Sequence, residues 1–124
     1  MIINTEKAPK AVGPYSQAVM VNNLIYTSGQ LPIDPKTGKF AEGGIKEQTK
    51  RSLTNVMEIL KKAGSSNSKV LKTTVFLSDI NNFAEMNKVY ETFFEKGSYP
   101  ARSAIEVAAL PMGALVEIEA VATL

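Results

Sequence analysis

The spacing of apolar and polar positions changes along the chain and predicts a series of strands and helices. Two short apolar runs, residues 18–21 and 24–28, are separated by Asn22 and Asn23. Asn tolerates the left-handed backbone that a two-residue turn requires, so this stretch predicts a β-hairpin. From about residue 45 to 63 the apolar positions recur mostly at helical spacing, and Gly64 follows as a natural stop. This stretch predicts a helix.

The second half of the chain predicts three more strands and one more helix. Residues 70–77 are rich in β-branched and apolar side chains, which is typical of a buried strand. A second helix is predicted from about 83 to 96, because its apolar residues fall on one face. Strands are predicted at about 101–107 and 115–123, whereas residues 29–44 contain several prolines and glycines and predict a loop.

The resulting order, β-β-α-β-α-β-β, predicts an α+β fold. Two amphipathic helices must bury their apolar faces, and the simplest arrangement packs both on one face of a single mixed sheet. The strand–helix–strand unit of residues 24–77 is expected to be a right-handed parallel crossover. The chain has 124 residues and no linker, so a single domain over 1–124 is expected.

The composition excludes several kinds of chemistry. The chain has no Cys and no His, which removes thiol nucleophiles, disulfides, Ser-His-Asp triads and the commonest metal ligands. The glycines form neither of the two common phosphate-binding patterns. We therefore expect no metal and no cofactor. Any catalysis would rely on Glu, Asp, Lys, Tyr, Ser, Arg and backbone groups.

Charge and hydropathy also limit the expected partners. Fourteen Lys and Arg against twelve Asp and Glu leave a net charge of +2, and the basic residues are scattered, so nucleic-acid binding is not expected. No apolar run approaches the roughly 18 residues that span a bilayer. The first residues do not resemble a secretory signal. A cytoplasmic protein without a membrane segment is expected.

Three charged residues near the end of the chain are candidates for a site. Side chains alternate across a strand, and this alternation predicts Arg102, Glu117 and Glu119 on the helix-free face of the sheet. We expect a second subunit to cover that face. Arg102 is one of only two arginines, which suggests bidentate recognition of a carboxylate or phosphate; the alternative is a structural ion pair with a nearby Glu. The two glutamates form either an acid/base with its structural partner or a pair of solvated carboxylates.

Four short blocks, in this order, make the chain resemble the RidA (YjgF) family. They are GPYSQA at 13–18, TSGQ at 27–30, PARS at 100–103 and VEIEA at 116–120. The resemblance implies a chorismate-mutase-like fold assembled as a homotrimer, with clefts between subunits. It also implies a cofactor-independent reaction: 2-imino acids released by pyridoxal-phosphate enzymes, such as 2-iminobutanoate and 2-iminopropanoate, are hydrolysed to 2-keto acids and ammonia.

The same resemblance implies roles for individual residues. Arg102 corresponds to the arginine that binds the substrate carboxylate, and Glu117, rather than Glu119, to the glutamate that activates water. The residues that correspond to the rest of the cleft are Tyr15, Ser28, Gly29 and Asn87. Many members have a cysteine where this chain has Ala104. Two other functions stay open: a regulatory module that binds a small carboxylate, and an RNA-acting translation inhibitor or endoribonuclease.

Overall fold

A computed structural model describes residues 1–124 and contains six strands and two α-helices. The strands are β1 (Ile2–Ile3), β2 (Ala18–Val21), β3 (Leu24–Thr27), β4 (Val70–Leu77), β5 (Ala101–Glu106) and β6 (Val116–Thr123). The helices are α1 (Ile45–Lys62) and α2 (Phe83–Tyr90). The predicted α+β order is confirmed, and the two-residue β1 is an addition that the sequence pattern did not predict.

The strands form one mixed sheet in the order β1-β2-β3-β6-β4-β5. Only β4 and β5 pair in parallel, and the other neighbours are antiparallel. Strand β6 lies between β3 and β4 and is antiparallel to both, so β3 and β4 run in the same direction. The predicted parallel connection across residues 24–77 is therefore present, with β6 inserted between its two strands.

The core lies between the two helices and one face of the sheet. Twenty buried apolar residues form it, and α1 contributes its whole apolar face. On β6 every second residue is buried, from Val116 to Ala122, while the alternate residues are half-exposed. The hairpin turn is as predicted, since Asn22 adopts a positive φ of 53°. No helix of the chain is long and apolar enough to cross a membrane.

Helix α2 is shorter than the sequence pattern predicts. It ends at Tyr90 and continues as a 3-10 turn over Glu91–Phe93, whereas the pattern extends to about residue 96. Two side chains bind carbonyls at this point. The Thr92 hydroxyl donates to the Val89 carbonyl at 2.6 Å, and the Asn67 amide donates to the Phe93 carbonyl at 2.6 Å. Phe94 is extended, with φ −129° and ψ 155°, so the helical backbone stops after the 3-10 turn and Asn67 supplies a donor to one of its unpaired carbonyls.

The prediction that Arg102 lies on the helix-free face is wrong. In the parallel pair of β4 and β5, Arg102 is the partner of Thr73, which is buried under the helices with 1% of its surface exposed. The Arg102 side chain reaches α2. Strand β5 is an edge strand, and its apolar residue Ile105 is 47% exposed on the helix-free face. On an edge strand, an apolar residue can face solvent rather than the core. Alternation therefore predicted the face of Ile105 as the core face and placed Arg102 on the wrong side of the sheet. The prediction is confirmed for Glu117 and Glu119.

Candidate functional site

Arg102 is held by three side chains of α2. Its Nη1 donates to Asn87 Oδ1 at 2.6 Å. The guanidinium carbon lies 4.7 Å from the ring centroid of Tyr90 and 5.3 Å from that of Phe83. Residues 83, 87 and 90 are spaced i, i+4 and i+7, so they share one face of the helix. The helix therefore fixes the guanidinium through one hydrogen bond and two cation–π contacts.

Arg102 also lines a cavity of about 400 Å³ at the end of α2. The cavity is lined by Asn87, Tyr90, Glu91, Tyr99, Pro100 and Arg102. The single ion pair of the chain joins Lys61 to Glu58, so Arg102 has no carboxylate partner. Within the chain, Arg102 therefore forms no structural ion pair with a glutamate. One N–H of five is used by Asn87, which leaves the guanidinium able to bind a planar anion at two points.

Glu117 lies on the opposite face of the sheet, against the glycine of the TSGQ block. A Cβ built on Gly29 would lie 2.9 Å from Glu117 Cδ and 3.1 Å from Cγ, and closer still to Oε1. Only glycine leaves room for the carboxylate in this position. Burial raises the pKa of Glu117 above its usual value, and the neighbouring charge of Glu119 raises it further. A half-buried carboxyl group of raised pKa is a stronger base than a solvated one.

Ser28, which directly precedes Gly29, is hydrogen-bonded to the two residues that follow Tyr15. The Ser28 hydroxyl donates to the Ser16 carbonyl at 2.6 Å, and the Ser28 N–H donates to the Gln17 carbonyl at 2.8 Å. Tyr15 immediately precedes Ser16 in the sequence, and 51% of its surface is exposed. Gln30, the residue after Gly29, exchanges two backbone hydrogen bonds with Ile118 of β6. These bonds keep the loop that contains Gly29 against Glu117.

The predicted site residues thus fall into two groups within one chain. The arginine group is Arg102 with Asn87, and the glutamate group is Glu117 with Tyr15, Ser28 and Gly29. In register, Arg102 pairs with Thr73 and Glu117 pairs with Phe76, which are three positions apart on β4. An odd separation along a strand means opposite faces. Two strand spacings, about 10 Å in all, also separate β5 from β6 across the sheet.

Sequence reasoning missed several side chains around Arg102. Phe83 and Tyr90 were predicted only as part of the apolar face of the second helix, although their spacing with Asn87 already places the three together. Tyr99 and Glu91 line the cavity without any signal in the sequence pattern. Glu91 is notable because, within a single chain, it is the carboxylate that shares the cavity with Arg102. No group of three or more acidic side chains converges as a metal site.

The family of the chain follows from comparison with known proteins. The model of the Endoribonuclease L-PSP family matches residues 5–124. The chain is 55% identical over 121 residues to the 2-iminobutanoate/2-iminopropanoate deaminase of Bos taurus, covering 98% of this chain and 88% of the relative. It is 54% identical to a RutC family protein of Pyrococcus abyssi, covering 98% of this chain and 94% of the relative. The chain therefore belongs to the Endoribonuclease L-PSP family, which includes the RidA proteins.

Solved structures of the RidA family share the fold over the whole chain. RidA from Psychrobacter superposes with a TM-score of 0.95 at 45% identity, covering 100% of this chain and 99% of the other. The structure of Escherichia coli TdcF with bound serine gives a TM-score of 0.95 at 43% identity, covering 100% and 98%. The resemblance inferred from the four blocks is confirmed.

Proposed function

We propose that this RidA-family protein is a 2-iminobutanoate/2-iminopropanoate deaminase that releases 2-keto acids and ammonia. The observation that carries the proposal is Arg102, a guanidinium held by α2 at the edge of a cavity and left without an ionic partner. The deaminases of Bos taurus and Homo sapiens, at 55% and 53% identity over nearly the whole chain, give the reaction class. We take residues 1–124 as a single domain that acts in the cytoplasm.

The first role is binding of the substrate carboxylate. Arg102 donates two parallel N–H bonds to the carboxylate, and these bonds place the C=N carbon at a fixed distance from the guanidinium. Asn87 keeps one Nη in place rather than binding the substrate itself. A 2-imino acid is small enough for a cavity of about 400 Å³.

The second role is activation of water by Glu117. The carboxylate takes a proton from water as the oxygen adds to the C=N carbon, and the C=N electron pair moves to nitrogen. That proton passes to the nitrogen and gives a carbinolamine. Glu117 then takes the hydroxyl proton and transfers it to the nitrogen as the C–N bond breaks, so that the C=O bond forms and ammonia leaves with the 2-keto acid. Ser28 donates to Ser16 and keeps its oxygen lone pairs for the imine N–H. Gly29 lies beside Glu117, and we assign Tyr15 to the wall of the same cleft. Every group in this scheme belongs to the chain, so the reaction needs no cofactor.

A site containing both Arg102 and Glu117 requires a second copy of the chain, because one sheet separates the two groups. The helix-free face offers such an interface. Its exposed apolar side chains include Ile2, Val19 and Tyr26, which are in register across β1, β2 and β3, and Ile105 on β5; their exposed fractions are 69%, 45%, 43% and 47%. We take the assembly to be a homotrimer in which the arginine group of one copy meets the glutamate group of the next.

A coupled assay tests the reaction. Threonine dehydratase generates the imine from threonine, semicarbazide competes for it, and semicarbazone formation is followed spectrophotometrically. The protein should lower semicarbazone formation in a concentration-dependent way, and Glu117→Gln should abolish this effect. Glu119→Gln and Glu91→Gln are matched controls that should retain it. If Glu91→Gln is the damaging substitution, the reaction uses the carboxylate of the same chain and the two-copy site is wrong.

Mixing two inactive variants tests the shared site. Arg102→Ala and Glu117→Ala are each expected to be inactive alone. Co-expressed in equal amounts, they should form trimers in which about one quarter of all sites, roughly one site in each mixed trimer, combine an intact arginine group with an intact glutamate group. Light scattering should give a mass near three times 13.4 kDa. No recovery of activity in mixed trimers would place both residues in the same copy.

A binding module is the second candidate, because the TdcF structure contains bound serine, itself a small carboxylate. The same Arg102 cavity would serve it. Calorimetry with 2-ketobutyrate and serine beside the coupled assay separates the two functions: binding without turnover would favour the module. An RNA cleavage assay in parallel tests the activity that the family description names, and we expect no cleavage.

A further inference from the structure

We infer that Phe83 and Tyr90 are positioning residues for Arg102, and that the buried Thr73–Tyr90 hydrogen bond sets the angle at which the guanidinium meets its carboxylate. This inference rests on the proposed function for the identity of the ligand, but its main measurement does not. The residues concerned bind no substrate in the scheme above. They act on the reaction through Arg102.

The first step of the argument is the fixed position of the Tyr90 ring. Tyr90 Oη and Thr73 Oγ1 lie 2.7 Å apart, and the two residues are 4% and 1% exposed. The Phe94 ring packs against Tyr90 with a centroid separation of 5.0 Å. A buried hydroxyl with one partner and a packed ring leave Tyr90 little freedom to rotate.

The second step is the coupling of that ring to Arg102. Thr73 is the register partner of Arg102 on the adjacent strand, so the strand that positions the Tyr90 hydroxyl also pairs with the strand that carries the arginine. The guanidinium carbon is 4.7 Å from the Tyr90 centroid and 5.3 Å from the Phe83 centroid. These distances are within the range of cation–π attraction. The ring faces therefore restrict the tilt of the guanidinium plane, while Asn87 restricts its rotation.

The third step is the consequence for recognition. A bidentate bond to a carboxylate requires that the plane of the carboxylate and the plane of the guanidinium coincide. A free arginine side chain must lose rotamer freedom to reach this geometry. A side chain that two rings and an amide already hold has lost that freedom before the ligand arrives. Removal of a ring should therefore weaken ligand binding even though neither ring is needed for the chemistry. The Michaelis constant should rise more than kcat falls.

Nuclear magnetic resonance gives a direct measurement because the chain has only two arginines, Arg51 and Arg102. A ¹⁵N-labelled sample should show two side-chain Nε–Hε signals, and Arg102→Lys identifies the one that disappears. The Arg51 signal is an internal reference, since Arg51 Nε donates to Asn55 Oδ1 at 3.0 Å. Ring currents should displace the Arg102 signal in the native protein. Phe83→Leu and Tyr90→Leu should each move it and leave Arg51 in place.

Binding of 2-ketobutyrate provides the second measurement. Tyr90→Leu should weaken affinity about tenfold, the size of a partly desolvated cation–π contact, and Phe83→Leu about threefold. Tyr90→Phe keeps the ring but loses the hydrogen bond to Thr73, so affinity should fall about threefold, between the native protein and Tyr90→Leu. Phe93→Leu is the matched control: Phe93 also packs on the core but does not contact Arg102, so affinity and signal should be unchanged.

The outcomes separate this inference from the proposed function. An unmoved Arg102 signal in Tyr90→Leu and Phe83→Leu would overturn the inference, as would an equal loss of affinity in Phe93→Leu. If Tyr90→Leu does not fold, Phe83→Leu and Tyr90→Phe decide on the same two measurements. A protein that lacks deaminase activity but shows the expected signal shifts would contradict the proposed function and leave the positioning role supported.

Discussion

Gly29→Ala tests whether the position of the Glu117 carboxylate controls the reaction. The added Cβ would lie 2.9 Å from Glu117 Cδ, whereas carbon atoms pack comfortably at about 3.5–4.0 Å. The carboxyl carbon must therefore move by at least about 0.5 Å, and its oxygen by about twice as far. A displacement of about 1 Å in a reacting group can lower the rate on the order of 100-fold. We expect a loss of that size in kcat.

The fold should tolerate the same substitution. The backbone of Gly29 is not among the positive-φ glycines, so alanine fits it without strain. The methyl group meets the movable end of a side chain rather than backbone. We expect the free energy of unfolding to change by less than about 1 kcal/mol, because the smaller entropy of the unfolded chain offsets the displacement. Thermal melting followed by circular dichroism measures this change.

The matched control for this substitution is Gly44→Ala. Gly44 has a φ of −106°, and a Cβ on it would meet nothing within 4 Å. It precedes α1, so alanine should cost on the order of 1 kcal/mol of stability through the helix N-cap and leave turnover unchanged. Native kcat in Gly29→Ala would refute the reasoning. A raised Michaelis constant at native kcat would show instead that the methyl group blocks the substrate, not the carboxylate.

Three further predictions concern the rest of the site. Arg102→Lys keeps the charge but not the two-pronged geometry, so kcat/KM should fall by about 10- to 100-fold in a folded protein, measured in the coupled assay; native turnover would make Arg102 irrelevant. The acid limb of the pH–rate profile should lie above the usual carboxyl range because burial, and then the charge of Glu119, raise the pKa of Glu117. Since Glu119→Gln removes that negative charge, it should move the limb to lower pH and keep the plateau; an unmoved limb would assign the titration to another group. Activity should survive dialysis against a chelator, and its loss with recovery on adding one metal would contradict the cofactor-independent mechanism.

Those parts of the fold that depend on local patterns could be predicted from the sequence. The hairpin around Asn22, helix α1 and strand β4 each have a period or a turn residue that determines them within a few positions. The end of α2 could not be predicted in this way. The 3-10 turn that follows α2 contacts the Asn67 side chain, 26 residues away, which donates to the Phe93 carbonyl. A contact of that kind has no periodic signal.

The candidate site shows the same division. The resemblance to RidA identified Arg102 and Glu117 by motif, but the role of Gly29 as the space beside the carboxylate became visible only through a contact across 88 positions of sequence. The face of Arg102 was misassigned because β5 is an edge strand and is poorly covered on both sides. On such a strand, apolar residues can face either the core or a surface that another copy would cover, so their alternation does not identify the core face.

The separation of Arg102 from Glu117 by the sheet has a physical consequence for a two-residue site. If both side chains lay on one face of one chain, an ion pair between them would lower the pKa of Glu117 and occupy the N–H groups of Arg102. Both effects would oppose the proposed chemistry, which needs a basic carboxylate and an unoccupied guanidinium. In the structure Glu117 faces Gly29 and Glu119, and its pKa is raised, while Arg102 faces two aromatic rings and one amide. An assembly that brings the two groups to opposite ends of a small substrate would keep both properties, because the substrate carboxylate neutralises the guanidinium before the glutamate can.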